Sequence, residues 1–310
     1  MVKKIFKVFF VFNSIFVVSC GNLGVNLGEF INQVQSDSLL MHNATIRAKY
    51  DSWAKFTYNQ YEEILHLLLN RKDVIILPMC EFNEFRDSTK LVVALRHDVD
   101  YHPFKALEIA QMENKMGIRS TYYILPTAFY YGFMDSIRGF IRYKFMLEVY
   151  KRIYALGHEI GIHNDLLTVM VVYREDPIEF NRQDFEFLSE GGIRIRGTSS
   201  HGAPLCRETE VFNYEIFKDF TKRQFFTYKG KSYPLGIDSL KRFGFEYEAN
   251  FTTFGYDYFF TDNGGQLFVK HRRDTHFTKV TYEKFIEKLQ NLKSGQRIVL
   301  LIHPVWWGKK

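Results

Sequence analysis

The stretch LVVALRHDVDYHP, residues Leu91 to Pro103, runs from five apolar residues directly into two aspartates and two histidines. Strands that are buried on both faces read as continuous apolar runs, so Leu91 to Leu95 predicts a strand inside a parallel sheet. The polar residues then lie at the carboxyl end of that strand, which is the edge where α/β folds build their sites. A turn or a helix N-cap is the alternative interpretation of the acidic residues.

Asp98 and Asp100 are separated by one residue, and side chains two apart in a strand point to the same face. We therefore expect both carboxylates to reach one mouth of the sheet, while Val99 turns into the packing layer. Two such carboxylates can take different roles, because one bound to a metal stays ionised while the other remains free to accept a proton.

Strand and helix patterns alternate along most of the chain. The segment YNQYEEILHLLLN predicts an amphipathic helix before the strand DVIILP, and FKALEIAQMENKMG predicts a helix before the strand RSTYYILP. A third helix, YKFMLEVYKRIYALG, ends at Gly157. Each unit favours a parallel sheet with helices outside, and repeated around a ring such units form a (β/α) barrel. We expect one α/β domain of this type over residues 53–310, because 310 residues with 46% hydrophobic side chains suffice for one large core.

The N-terminal segment MVKKIFKVFFVFNSIFVVSCGN has a basic start and an apolar run from Val8 to Val18. This run is shorter than the ~20 residues that a membrane-spanning helix needs, so residues 1–19 are predicted to be a signal peptide and residues 20–52 a tether. The Ser19-Cys20 junction resembles the lipobox of bacterial lipoproteins, which implies an exported protein attached to the membrane through a lipid on Cys20. The alternative is a cytoplasmic protein with an apolar leading segment, which Lys7 favours.

The net charge bears on the class of partner, and the cysteine content bears on disulfide formation. The formal net charge is +6 and would fall to +3 if residues 1–19, with their three lysines, were removed. This charge is too small to favour a nucleic-acid partner. Cys80 and Cys206 could form a disulfide or remain buried thiols.

Histidines and acidic residues recur after apolar strand-like runs. Four later segments place polar residues at or just beyond an apolar run: GHEIGIHND, RIRGTSSHGAP, YDYFFTDNGGQ and QRIVLLIHPVWW. The first contains Glu159 and the third contains Asp262. Six of the ten histidines lie at such places: His97, His102, His158, His163, His201 and His303. Histidine and aspartate clusters assembled from separate strand ends are typical of a divalent metal site.

The ordered set RHDVD, GHEIGIH, SSHG, TDNGG and LIHPVWW, which covers roughly residues 53–307, resembles the metal-dependent polysaccharide deacetylases. The resemblance is to a divergent bacterial branch associated with surface polysaccharides rather than to the chitin or peptidoglycan enzymes. It implies an irregular (β/α) barrel that removes an N-acetyl or related acyl group from an amino sugar of a bacterial glycan. The implied partner is therefore an acetylated glycan or amino sugar.

The same resemblance implies a role for four residues. Asp98 corresponds to the general base, Asp100 and His163 to metal ligands, and His303 to the group that protonates the leaving amine. Zinc is the expected metal, although this ligand chemistry also suits Co²⁺, Ni²⁺ or Mn²⁺.

Two departures from the family pattern leave alternatives open. Leu167 stands where the family has a second metal histidine, so His201 or Asp165 must complete the site, and His201 is favoured because it ends another strand. The family also has an arginine that orients the base, and none of Arg194, Arg196 and Arg207 matches it clearly. These departures motivate a second hypothesis, a catalytically inactive carbohydrate-binding or assembly protein on the same scaffold.

Aromatic residues near the predicted site allow two interpretations. The segment FYYGF, Phe129 to Phe133, and the tryptophans Trp306 and Trp307 follow strands on the same edge as the site. They could stack on sugar rings, but in a chain with 19 Tyr and 31 Phe ordinary packing is the better interpretation.

Overall fold

The computed structural model describes residues 50–309, so the predicted signal peptide, Cys20 and the tether up to residue 49 lie outside the described residues. Sixteen strands are described: β1 (Phe56–Thr57), β2 (Val74–Leu77), β3 (Leu91–Val99), β4 (Thr121–Ile124), β5 (Gly132–Asp135), β6 (Gly139–Arg142), β7 (Glu159–Asn164), β8 (Gly197–Ser200), β9 (Phe225–Tyr228), β10 (Lys231–Pro234), β11 (Tyr247–Glu248), β12 (Tyr258–Thr261), β13 (Leu267–His271), β14 (Thr278–Val280), β15 (Arg297–Ile302) and β16 (Trp307–Gly308).

Eight α-helices are described in the same range: α1 (Tyr58–Leu69), α2 (Met79–Glu84), α3 (Pro103–Lys115), α4 (Lys144–Ala155), α5 (Leu166–Thr168), α6 (Pro177–Glu190), α7 (Pro204–Thr209) and α8 (Tyr282–Gln290). Between residues 50 and 309, none of them is both long and apolar enough to cross a membrane.

A ten-stranded, mostly parallel sheet forms the centre of the molecule. Its strand order is β11-β8-β7-β4-β3-β15-β12-β13-β14, and β2 pairs with the first half of β3. Only β12, β13 and β14 pair antiparallel. The central strand β3 pairs with β15 along one edge and with β2 and then β4 along the other. The predicted α/β class with a mostly parallel sheet is confirmed.

The sheet is strongly curved. Strands lie about 4.8 Å apart, so in a flat sheet β8 would be roughly 14 Å from β3. Instead, Arg96 of β3 donates hydrogen bonds directly to Ser199 of β8 and to Asn250, which follows β11. The sheet therefore forms a trough, with β3 on its floor. In the part of the chain that the structure describes, the pairings run from β11 to β14 without joining these two strands into a ring.

The residues of β3 alternate between two cores. Leu91, Val93 and Leu95 are fully buried in the outer core, where helices cover the sheet. Val92 and Ala94 are fully buried in an inner core, which residues of α2 close at one end. A strand buried on both faces gives a continuous apolar run, which explains the pattern of the opening stretch.

Two glycines make room for tyrosine rings inside the trough. A Cβ atom on Gly161 of β7 would overlap the ring of Tyr123, and one on Gly197 of β8 would overlap the ring of Tyr247. The two hydroxyl groups lie 2.9 Å apart, and that of Tyr247 donates to Glu159 at 2.8 Å. Aromatic rings thus fill the trough below the polar edge.

Burial decides the alternatives for the two cysteines and for three of the aromatic residues, but not for Phe129, which is 40% exposed, or for the partly buried Trp306. Cys80 and Cys206 are buried free thiols. Tyr130, Tyr131 and Trp307 are fully buried, so packing accounts for them.

Candidate metal centre

Three side chains meet at the carboxyl ends of β3, β7 and β8. His163 Nε2 lies 3.4 Å from Asp100 Oδ1 and 3.2 Å from His201 Nδ1, and His201 Nδ1 lies 3.8 Å from Asp100 Oδ1. A tetrahedral ion with ligands at 2.0–2.2 Å requires ligand atoms about 3.3–3.6 Å apart. The three atoms lie near this spacing, so the group could hold a divalent metal ion.

The surroundings of these atoms fit a metal. Asp100 Oδ1 is buried and has no hydrogen-bond partner among the described residues, which is costly unless a cation or water binds it. His163 Nδ1 lies 2.9 Å from the carbonyl oxygen of Ser199. As a donor to that carbonyl, Nδ1 carries the proton and leaves the lone pair of Nε2 facing Asp100 and His201.

Asp165, the other candidate for the third ligand, does not belong to this group. Its two carboxylate oxygens accept hydrogen bonds from Thr127 Oγ1 at 2.8 Å and from Asn213 Nδ2 at 3.2 Å. Leu167 is fully buried in the outer core. The structure therefore brings His201, and not Asp165, to Asp100 and His163.

Asp98 lies beside the group of Asp100, His163 and His201 and is held by Arg96. The guanidinium donates to both carboxylate oxygens, with Nε–Oδ1 at 2.9 Å and Nη2–Oδ2 at 2.8 Å. Burial alone would raise the pKa of Asp98, but the charge and hydrogen bonds of Arg96 oppose burial, and the pKa lies well below its usual range. His163 Nε2 is 3.5 Å from Asp98 Oδ2. The carboxylate of Asp98 therefore faces the group of Asp100, His163 and His201, called the metal group below, without belonging to it.

His303 faces the same group from β15. Its Nε2 lies 3.9 Å from Asp100 Oδ2, and its Nδ1 lies 2.6 Å from Asp262 Oδ1. The other oxygen of Asp262 accepts a hydrogen bond from the Trp307 indole at 2.6 Å. Burial alone would lower the pKa of His303, but the charge and hydrogen bond of Asp262 outweigh burial and raise the pKa to about 9. Asp262 therefore favours the protonated form of the imidazole.

Arg96 is the residue that sequence reasoning missed. Arg194 and Arg196 form ion pairs with Glu246 away from the site, and Arg207 lines the cavity without contacting Asp98. The available signal was the spacing of Arg96 two residues before Asp98, since positions i and i+2 of a strand share a face.

Three of the six strand-end histidines lie elsewhere. His97 points to the outer face of β3, where its Nε2 lies 2.7 Å from Glu113. His158 Nδ1 lies 3.6 Å from the same carboxylate. His102 is the N-cap of α3 and accepts a hydrogen bond from the backbone of Lys105, so the N-cap alternative applies to a histidine and not to the aspartates.

A cavity of about 590 Å³ opens over the metal group. Its floor is polar and contains Arg96, Asp98, Asp100, His163, His201 and His303. Its walls include the apolar residues Phe212, Phe259, Phe268, Phe277 and Leu301. The arrangement can place a carbonyl group over the metal group while apolar and aromatic side chains contact the rest of a ligand.

No protein-family model matches the chain. A search of curated proteins gave no match either.

Proposed function

We propose that this protein is a metal-dependent hydrolase that removes an N-acetyl or related acyl group from an amino sugar of a bacterial glycan. The observation that carries the proposal is the grouping of Asp100, His163 and His201 between the carboxylate of Asp98, which Arg96 holds, and the imidazole of His303, which Asp262 holds. Metal-assisted amide hydrolysis uses these elements: a Lewis acid, a base for the attacking water and an acid for the leaving amine.

In the proposed reaction, each side chain has one task. A divalent ion held by Asp100, His163 and His201 would polarise the amide carbonyl and acidify water. Asp98 accepts the proton of the attacking water, and Arg96 keeps this carboxylate ionised and fixes its direction. His303 donates a proton to the amine nitrogen as the carbon–nitrogen bond breaks, and Asp262 holds the imidazole in place. General acid and base groups contribute typically about 10²- to 10⁴-fold each.

The resemblance to the polysaccharide deacetylases supports the same proposal. Under it, the curved sheet is the irregular (β/α) barrel of that family, and the metal is zinc. His201 takes the place of the family histidine that Leu167 replaces, so the departure at position 167 does not remove a ligand. The apolar walls of the cavity then contact the acyl group and the sugar.

Three variants test the roles separately. We expect Asp98→Asn to retain the metal and lose most of the turnover, Asp100→Asn to lose both, and His303→Ala to retain the metal with reduced turnover. Acetate release from N-acetylated oligosaccharides and elemental analysis are measured on each protein. Asp219→Asn, a change at an exposed aspartate outside the cavity, is the control and is expected to behave as the wild type.

Two outcomes would reject the assignment. Undiminished turnover by Asp98→Asn would remove the base from the mechanism. A metal-loaded wild type that releases acetate from no acetylated glycan, yet binds glycans, would favour the second hypothesis of an inactive binding protein.

A further inference from the structure

One wall of the cavity continues into an exposed antiparallel ribbon. Directly paired residues of antiparallel strands have side chains on the same face. Thr261 of β12 pairs with Phe268 of β13, which pairs in turn with Lys279 of β14. Because Thr261 and Phe268 both line the cavity, the face that carries Lys279 is an extension of the cavity wall.

The same face carries a second cation and a second ring. Phe259, another cavity residue, pairs with Lys270 of β13. The ammonium of Lys270 lies 5.6 Å from the ring centroid of Phe277, whose side chain lines the cavity and is 45% exposed. Phenylalanine rings and lysine side chains therefore alternate on this face, from the cavity wall to the last strand of the sheet.

The two lysines have no acidic partner among the described residues. Within residues 50–309, neither Lys270 nor Lys279 forms an ion pair. Of the acidic residues nearby, Asp257 pairs with Arg272 at 3.4 Å and Asp274 accepts a hydrogen bond from the backbone of His271. Each lysine adds a positive charge beside the cavity that no described carboxylate neutralises.

We propose that this face, defined by Phe268, Lys270, Phe277 and Lys279, binds an acidic segment of the glycan chain whose acylated sugar occupies the cavity. The inference rests on the proposed function. Sugar rings pack on the phenylalanines, and carboxylate or phosphate groups on neighbouring sugars bind the lysines. A glycan is the occupant because the face is continuous with the cavity and alternates rings with charges.

Binding of two hexasaccharides tests the proposal without requiring turnover. The probes are a hyaluronan hexasaccharide, which alternates glucuronate with N-acetylglucosamine, and the neutral N-acetylchitohexaose. Affinities are measured by calorimetry in the Asp98→Asn protein. We expect tighter binding of the acidic probe, about tenfold weaker binding of it after Lys270→Gln/Lys279→Gln, and unchanged binding of the neutral one. Added salt should weaken only the acidic complex.

The control is Lys222→Gln/Lys231→Gln, which removes the same charge from exposed positions outside the cavity and should leave both affinities unchanged. Equal affinity for the two probes, no binding of the acidic probe, or an equal loss in the control would overturn the proposal. Binding to vesicles of phosphatidylcholine and phosphatidylglycerol is measured on the same proteins. If Lys270→Gln/Lys279→Gln weakens binding to these vesicles but not to the acidic hexasaccharide, the face binds a membrane and the proposal is overturned. Acetate release, measured separately, reports whether the proposed hydrolysis itself fails.

Discussion

At the scale of single residues, the proposed third metal ligand, His201, is the sharpest test of the site. His201 Nδ1 lies 3.2 Å from His163 Nε2, whereas both oxygens of Asp165 are hydrogen-bonded elsewhere. We therefore expect His201→Ala to lower zinc affinity by at least tenfold and Asp165→Asn to leave it nearly unchanged. Competition with a chelating dye measures both. Full zinc affinity in His201→Ala would instead assign the third position to another residue.

Arg96 should act through Asp98 and not through the metal. Its planar fork donates to both carboxylate oxygens, which a lysine ammonium cannot reproduce. We expect Arg96→Lys to lower kcat by about tenfold or more, with KM and metal content unchanged. Steady-state kinetics and elemental analysis separate these quantities. Arg194→Lys, whose ion pair lies on the surface, is the matched control, and a comparable loss of kcat there would contradict the positioning role.

At the scale of elements, Glu113 of α3 connects the helix layer to the sheet. Its carboxylate accepts hydrogen bonds from Ser120 at 2.6 Å and Tyr122 at 2.9 Å and also contacts Tyr61 of α1, in addition to the two histidines described above. Burial alone would raise the pKa of Glu113. The charge and hydrogen bond of His97, followed by the charge of His158, outweigh burial and lower the pKa to about 2. The carboxylate of Glu113 thus links its own helix α3 to α1, β3 and β4.

The low pKa of Glu113 predicts a pH dependence of stability. A group whose pKa is lower in the folded state stabilises it fully above the unfolded value of 4.5, and this contribution is lost as the pH falls toward 2. The contribution is about 3 kcal/mol. We expect Glu113→Gln to lower the free energy of unfolding at pH 7 and to flatten its fall below pH 4.5. Urea unfolding at several pH values measures both, with the exposed Glu148→Gln as the control.

At the scale of the whole molecule, the metal should stabilise the fold because its ligands come from three strands. A ligand present at 100 times its Kd adds about 2.7 kcal/mol to the free energy of unfolding. For a domain of this size, we expect the Tm to rise by roughly 5 to 10 °C when zinc is added to the chelator-treated protein. Asp100→Asn should abolish the rise. The same rise in that variant would place the stabilising ion elsewhere.

The attachment of the molecule to a membrane remains a prediction from its first residues. We expect the mature protein to begin at Cys20 and to carry lipid there, since lipid chains contribute about 0.8 kcal/mol per buried CH₂ to membrane binding. Intact-mass measurement on protein from its native host decides this. Recovery of the chain with Met1 in place, or mainly from the cytosol, would favour the cytoplasmic alternative.

The sequence by itself determined the fold class and the edge that carries the site. The apolar run before Asp98 predicts a strand buried on both faces, and the two-residue spacing places Asp98 and Asp100 in one cavity. These features follow from local periodicity, which is a property of the chain alone.

Only the tertiary structure decided which polar residues meet. His97 and His163 both follow apolar patterns, yet His97 packs against Glu113 on the outer face while His163 joins the metal group. The choice between His201 and Asp165, and the pairing of Arg96 with Ser199, depend on how far the sheet curls. Curvature results from packing many strands and two cores together, so no local pattern in the chain specifies it.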